Sequence, residues 1–329
     1  MSQFGTEFCD SFATVRFEDG AWQTPTIQPL APLALHPASH VFHYASTCFE
    51  GFKAYRWKDG RARVFRLDDH VARMRKSAES LRLPIPEANT LSDMVVDLIA
   101  QHVEDIPEPP SSLYIRPTLV GTTPNIGAAA APASDALLFV LLSPVGNYFS
   151  GGVQPLKLLV DDVLARSTAQ LGSTKTGGNY AAALGPTLDA QREFGVHQVL
   201  FCPNGDVQET GAANFILLTD DEVITKPLDD SFLHGMTRTS ILTLAEDLGY
   251  RINEQNFTVT ELLEWAETHE AALSGTAAGL TPVGTFVYQG REITVRDGQG
   301  GANTSKLRHA LQDVHYGQAP DPHGWLTVV

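Results

Sequence analysis

The sequence predicts a mixed α/β (α+β) protein of two domains, and three observations predict it. Short runs rich in β-branched and aromatic residues alternate with stretches whose apolar residues recur at helical spacing. The chain has 329 residues, long enough for two cores of ordinary size. Between two strong strand patterns lies Pro144-Val145-Gly146-Asn147-Tyr148-Phe149-Ser150-Gly151-Gly152, whose Pro, Gly and polar residues read as a linker. The expected division is an N-terminal α/β domain over 1–146, a linker over 147–153 and a C-terminal domain over 154–329.

The elements follow in order. Residues 1 to 40 carry Pro25, Pro29, Pro32 and Pro37, which predict irregular structure with one strand near Thr14 to Phe17. From Phe49 the chain alternates loosely into Asp59-Gly60, a hairpin signal, and returns over Ala62 to Leu67. Asp68 or Asp69 is the expected cap of a helix whose stripe is Val71, Met74, Ala78 and Leu81, with Arg73 off that stripe. Pro84 stops it. Thr90-x-x-Asp93 predicts the start of a second helix with the face Leu91, Met94, Val95, Leu98 and Ile99. Strands are expected at Leu113 to Val120 and Ala136 to Leu142.

Beyond the linker, Leu156 to Val160 reads as a strand and Asn179 to about Phe194 as a helix, with a kink or break at Pro186. His197 to Cys202 is a strand closed by the Asn204-Gly205 turn, and Asn214 to Leu218 is another. Helices are expected at Thr237 to Leu248, Thr260 to Thr268 and Thr304 to Val314, with a strand at Ala271 to Leu273.

Composition narrows the function classes. A formal charge of −15 speaks against a sequence-independent nucleic-acid binder and against attraction to anionic membranes. No apolar run approaches the roughly 18 residues of a membrane span. Cys9, Cys48 and Cys202 are odd in number and form no C-x-x-C pair, which predicts a reducing, cytoplasmic setting. The start, Met1-Ser2-Gln3-Phe4-Gly5, does not read as a signal peptide. His36, His40 and His43 have ligand-like spacing, but Pro37 sits among them and no Glu-x-x-His accompanies them, so no metal is expected. Cys48 reads as a core residue, not a nucleophile.

The chemistry centres on Ser173-Thr174-Lys175-Thr176-Gly177-Gly178-Asn179-Tyr180. Of seven lysines, Lys175 alone is framed by small residues and glycines, which let a planar ligand approach the backbone. A Schiff-base lysine for pyridoxal phosphate is the expected role. Such a cofactor also needs an anion site, a carboxylate beside its ring nitrogen and donors for a substrate carboxylate. Gly235-Met236-Thr237-Arg238 opens a helix suited to a phosphate, with Arg73 as a source of charge. Glu209, before Gly211 and Asn214, can supply the carboxylate, and Ser274-Gly275-Thr276-Ala277 the amides and hydroxyls.

The order of these motifs carries a resemblance. Phe49-Glu50-Gly51-x-Lys53-Ala54-Tyr55, Phe65-Arg66 with Arg73, Leu113-Tyr114-Ile115-Arg116-Pro117, Leu138 to Tyr148, Lys175-x-Gly177-Gly178-Asn179-Tyr180, Glu209 to Asn214, Gly235 to Arg238 and Ser274 to Ala277 together resemble the branched-chain amino-acid aminotransferases of fold type IV. The resemblance spans roughly residues 30 to 320. It implies a D-amino-acid aminotransferase-like fold, with a small α/β domain and a larger pseudo-barrel domain that carries the lysine. It further implies a homodimer or higher oligomer, and a ping-pong exchange between Leu, Ile or Val and 2-oxoglutarate that yields L-glutamate.

Roles follow from the same resemblance. Lys175 is the Schiff base and proton shuttle, Tyr180 meets the cofactor's phenolic oxygen and Glu209 its pyridine nitrogen. Arg73, the Met236 and Thr237 backbone and Thr276 hold the phosphate. Thr276 and Ala277 amides receive the substrate carboxylate. Tyr44, Phe49, Tyr114 and Tyr148 line the side-chain pocket, and Arg116 takes the γ-carboxylate. Lys53, Ala212 and Pro186 depart from patterns seen in relatives. Two rivals remain: another fold-type IV chemistry on D-amino acids or (R)-amines, or as a lyase, and a binding protein that keeps the fold.

Overall fold

In a computed structural model that describes residues 4–127, 129–146, 153–277 and 279–329, the chain packs into two compact units. One holds Met1–Tyr148, Thr174–Gly177 and His315–Val329; the other holds Phe149–Ser173 and Gly178–Val314. The expected linker at 147–153 falls, all but its last residue, outside the described residues.

The first unit is built on one antiparallel sheet. Its elements are β1 (Ser11–Glu18), β2 (Ala21–Trp22), β3 (Thr26–Pro29), α1 (His40–Tyr44), β4 (Thr47–Phe49), β5 (Phe52–Arg56), β6 (Ala62–Phe65), α2 (Leu67–Ser80), α3 (Ala88–Gln101), β7 (Ser112–Gly121) and β8 (Ala136–Val145). The order runs from a C-terminal strand, Leu326–Val328, through β6, β5, β7, β8, β1 and β2, with β3 on β1 and β4 on β7. The C-terminal strand joins this unit because it pairs with β6, Leu326 opposite Phe65. β8 continues through Pro144 and Val145, which the sequence assigned to the linker. Proline is tolerated there because Pro144 gives up only a donor near the strand's end.

The two helices cover one face of this sheet. Val71, Met74 and Ala78 of α2 and Leu91, Met94, Val95, Leu98 and Ile99 of α3 share a core with Phe52, Ala54, Val64, Leu113, Ile115, Leu138 and Val140. α2 is entered through Arg66 in the left-handed region, φ 56°, with no side-chain cap; Asp68 and Asp69 fall inside its first turn, where carboxylates favour the positive end of the helix. α3 starts at Ala88, ahead of the expected Thr90, also without a side-chain cap. Arg73, which periodicity left off the stripe, is buried.

The second unit holds β9 (Leu156–Asp161), α4 (Gly177–Phe194), β10 (Gln198–Phe201), β11 (Glu209–Thr210), β12 (Asn214–Leu218), β13 (Glu222–Thr225), α5 (Met236–Asp247), β14 (Arg251–Glu254), α6 (Val259–Trp265), β15 (Glu270–Gly275), β16 (Gly279–Tyr288), β17 (Arg291–Thr294) and α7 (Ala302–His315), except that Gly177 at the start of α4 and His315 at the end of α7 belong to the first. The strand order is β11, β10, β9, β16, β15, β12, β13, β14, and β11 also pairs with β12. That extra pairing, Glu209 opposite Asn214, closes six strands into a ring, so the expected pseudo-barrel is present. β9 and β10 are parallel and need a crossover, which α4 supplies; Ala183 and Ala190 of α4 pack on Val199 and Phe201.

α4 runs unbroken through Pro186, where the sequence predicts a kink or break. The carbonyl that loses its donor belongs to Ala182, which is exposed, so water can replace the bond. α6 begins at Val259 because Thr258 and Glu261 form a reciprocal capping box. Among the described residues no helix is long and apolar enough to cross a membrane.

Leu98 is fully buried between α3 and the sheet. Truncation by Leu98→Ala is expected to lower unfolding stability by about 2–5 kcal/mol. Chemical denaturation checks this; a loss under about 1 kcal/mol contradicts the packing described.

Candidate active site

In the first unit the lysine segment lies against β4 and α2. Phe49 N–H donates to the Lys175 carbonyl at 3.1 Å, and Lys175 N–H donates to Ser77 Oγ at 3.0 Å. Thr176 Oγ1 donates to the Thr47 carbonyl at 2.7 Å, and Thr176 bridges to Cys48. These bonds explain why Thr174–Gly177 packs with the N-terminal residues and not with the C-terminal ones. The Lys175 backbone is held on both sides, so side-chain torsions alone aim its amine. Lys175 Nζ lies 5.1 Å from the centre of the Phe49 ring.

Beside this segment sits a buried ionic cluster. Glu50 is fully buried, and Arg73 grips it with Nε to Oε1 at 2.7 Å and Nη2 to Oε2 at 2.9 Å. His70 Nδ1 lies 2.7 Å from Oε2, and its ring stacks on Phe52. Burial alone would raise the Glu50 pKa; Arg73 and His70 reverse this and hold the carboxyl well below the usual carboxylate range. Burial lowers the His70 pKa despite Glu50, so the ring is neutral at pH 7 and its Nδ1–H donates. His70, Arg73 and Ser77 stand at i, i+3 and i+7 of α2, one face of the helix.

The same unit offers a shelf of rings and cations. Arg116 Nη2 donates to Tyr114 Oη at 2.9 Å, and the guanidinium carbon lies 4.6 Å over the Phe49 ring. No carboxylate among the described residues pairs with Arg116, and its Nε is buried without a partner. Gly51 makes room for Tyr114, since a Cβ there would collide with the phenol oxygen. Lys53 pairs across the strands with Tyr114, and burial lowers its pKa to about 8. Tyr44 donates to the Ile126 carbonyl. Tyr148 lies outside the described residues.

In the second unit the centre is Glu209, also buried. It accepts from Arg166 Nη1 at 2.7 Å, Asn214 Nδ2 at 3.1 Å and Leu233 N–H at 3.0 Å. Arg166 also donates to the Gly211 carbonyl and lies 5.3 Å over the Tyr180 ring. α5 begins at Met236 and Thr237 with no side-chain cap, so its first N–H groups have no hydroxyl or carboxylate of their own. Gly235 lets that turn close on Asn214, since a Cβ there would collide with Asn214 Oδ1. Ser274 pairs with Asn214, and Thr276 and Ala277 form the turn that follows.

Glu50, His70 and Arg166 carry much of this geometry, and the sequence assigned none of them a role. The i, i+3 spacing of His70 and Arg73 is a signal that could find that pair. Arg166 stands in a polar loop with no pattern around it.

Residues 47–286 match the family described as amino-transferase class IV. The chain belongs to that family. This aminotransferase is 37% identical to a probable branched-chain-amino-acid aminotransferase of Streptomyces coelicolor, over 98% of this chain and 91% of that one. It is 34% identical to branched-chain-amino-acid transaminase 1 of Bacillus subtilis, over 99% and 94%. Its fold matches the T.th. branched-chain amino acid aminotransferase solved with pyridoxamine 5'-phosphate, with TM-score 0.79, 26% identity and coverage of 95% and 97%. The aminotransferase is thus a pyridoxal-phosphate enzyme of fold type IV.

The residues present fit that cofactor. A buried carboxylate kept company by an arginine suits a pyridinium, an uncapped helix start suits a phosphate, and a lysine with a pinned backbone suits an aldehyde.

Because folding lowers the Glu50 pKa, the carboxylate's stabilisation is present above its unfolded pKa and is lost as pH falls through the folded value. Glu50→Gln leaves Arg73 buried without its counter-charge and is expected to cost about 3–5 kcal/mol at pH 7. Denaturation across pH should show this deficit shrinking once pH falls below the usual carboxylate range. A deficit independent of pH counts against an ionised Glu50.

Proposed function

We propose that this aminotransferase moves the amino group of L-leucine, L-isoleucine or L-valine to 2-oxoglutarate, giving the branched 2-oxo acid and L-glutamate. One observation carries the reading: Arg116 has no carboxylate partner among the described residues and lies over both the Phe49 and Tyr114 rings. The rings accept an aliphatic side chain, while the guanidinium accepts a second carboxylate. One shelf then serves both the apolar donor and the dicarboxylic acceptor. Apolar contact separates aliphatic chains by only about 1–3 kcal/mol per methylene, so broad use of the three amino acids is expected.

Bound pyridoxal phosphate supplies the electron sink that acidifies the substrate α carbon. Lys175 would hold the cofactor through its amine and, once released, would carry the proton from the substrate α carbon to the cofactor's C4′. Glu209 keeps a negative charge at the ring nitrogen; its bonds to Arg166, Asn214 and Leu233 fix its oxygens. Tyr180, steadied by Arg166, donates to the phenolic oxygen. Met236 and Thr237 offer N–H groups to the phosphate, Arg73 offers charge, and Thr276 and Ala277 receive the phosphate and the substrate carboxylate. Tyr44 and Tyr148 complete the aliphatic pocket. The same reading makes the protein a cytoplasmic homodimer or higher homo-oligomer, without nucleic-acid or membrane partners.

Steady-state assays test this reading. L-leucine with 2-oxoglutarate should turn over and D-alanine should not; the reverse result assigns a D-amino-acid enzyme. Lys175→Ala should abolish turnover and the near-visible absorption of the loaded enzyme, and survival of that band points to another lysine. Arg116→Ala should raise KM for 2-oxoglutarate about tenfold or more while KM for L-leucine changes less. Equal effects on both would remove Arg116 from the γ-carboxylate.

A further inference from the structure

The three cysteines are all buried, yet they differ in surroundings. Cys48 and Cys202 lie near main-chain carbonyls that can take their S–H, those of Met74 and Leu200. Cys9, just ahead of β1, faces instead two side chains that bind cations. These are His102, at the C-terminal end of α3, and Asp105, one turn further on. The ligand atoms of Cys9, His102 and Asp105 all lie within 4.8 Å of one another.

The geometry points to a binding site for one thiophilic divalent cation, of the zinc type, formed by Cys9 Sγ, His102 Nδ1 and Asp105. A thiolate, an imidazole and a carboxylate are the donor set that such a cation selects over hard ions. His102 Nδ1–H donates to Asp105, and its Nε2, 2.6 Å from Ser11 Oγ, accepts from that hydroxyl; with a cation on Nδ1 the ring takes the other tautomer and Nε2–H donates to Ser11 Oγ, the orienting bond that metal-bound histidines use. His102 Nδ1 and Asp105 Oδ2 now share a hydrogen bond of 2.6 Å. A cation between them needs about 3.3 Å between ligand atoms, from metal–ligand distances of about 2.0 Å at tetrahedral angles. The Asp105 side chain is 54% exposed and can move by that amount. Asp10 Oδ1, 3.8 Å from His102 Nε2 and 95% exposed, adds negative charge near Cys9.

The local charge works against a thiolate while no cation is bound. Burial first, then Asp105 and Asp10, pushes the Cys9 thiol up to about 12. A divalent cation reverses this balance, because it favours the thiolate and offsets the carboxylates. Binding exchanges the S–H bond for a metal–sulfur bond and releases that proton to solvent, so affinity rises with pH. The site would tie the start of β1 to the end of α3, within the first unit and separate from the lysine segment.

Titration of the loaded, full-length enzyme with Co²⁺ and then Zn²⁺ tests this. Expected are one equivalent bound, a thiolate-to-cobalt absorption band in the near ultraviolet, its loss on adding Zn²⁺, and tighter binding at higher pH. Cys9→Ala should remove the band and weaken Zn²⁺ binding about 100-fold or more. Asp105→Asn, on an exposed side chain, should weaken it with the fold intact by circular dichroism. Absence of stoichiometric binding overturns the site. So does binding that survives in both variants, or that disappears only when His36, His40 and His43 are replaced.

Discussion

Each unit places an ionised carboxylate where water does not reach, and each depends on an arginine to keep it there. Glu50 is gripped by Arg73 and Glu209 by Arg166, at 2.7 Å in both cases. A lone carboxylate at such depth would be protonated, because desolvation penalises the charged form. With the arginine in place the charge persists and has a fixed direction. The chemistry of a pyridoxal enzyme needs fixed charges of this kind, since solvent-exposed ones would reorient with every turnover.

The backbone around these carboxylates is organised to match. Glu50 sits between β4 and β5, where the chain leaves one pairing with β7 and resumes another. That interruption lets a charged side chain enter the core while Gly51 passes close to Tyr114. Glu209 sits where a single residue pair closes the six-stranded ring. A ring closed at one point leaves few free backbone groups there, and the side chains of Arg166 and Asn214 take up the rest. In both units the buried charge marks an irregularity of the sheet, not its regular middle.

Much of the fold is legible in the sequence because the signals are local. The Asp59-Gly60 and Asn204-Gly205 turns, the apolar stripes of α2 and α3 and the strand at 214–218 depend on neighbours a few residues away. Errors arise where a local rule meets a tertiary one. Asp68 and Asp69 look like caps, but Arg66 in a left-handed conformation begins α2. Pro186 looks like a break, but the lost hydrogen bond falls on an exposed face. Arg73 falls off the apolar stripe of α2, and its burial follows from the depth of Glu50, with which it pairs.

The sequence by itself determined the alternation of strands and helices, the lysine framed by glycines and, through the order of its motifs, the class IV aminotransferase family. Those features rest on spacing along the chain, which local sterics and hydrophobic period fix. Only the tertiary structure decided which charges meet. Glu50 with His70, Arg166 with Glu209 and Cys9 with His102 are separated by 20, 43 and 93 residues. Nothing in the local chemistry of any one of them names its partner. Sheet register and helix packing bring them together, and burial then turns nearness into an interaction strong enough to matter.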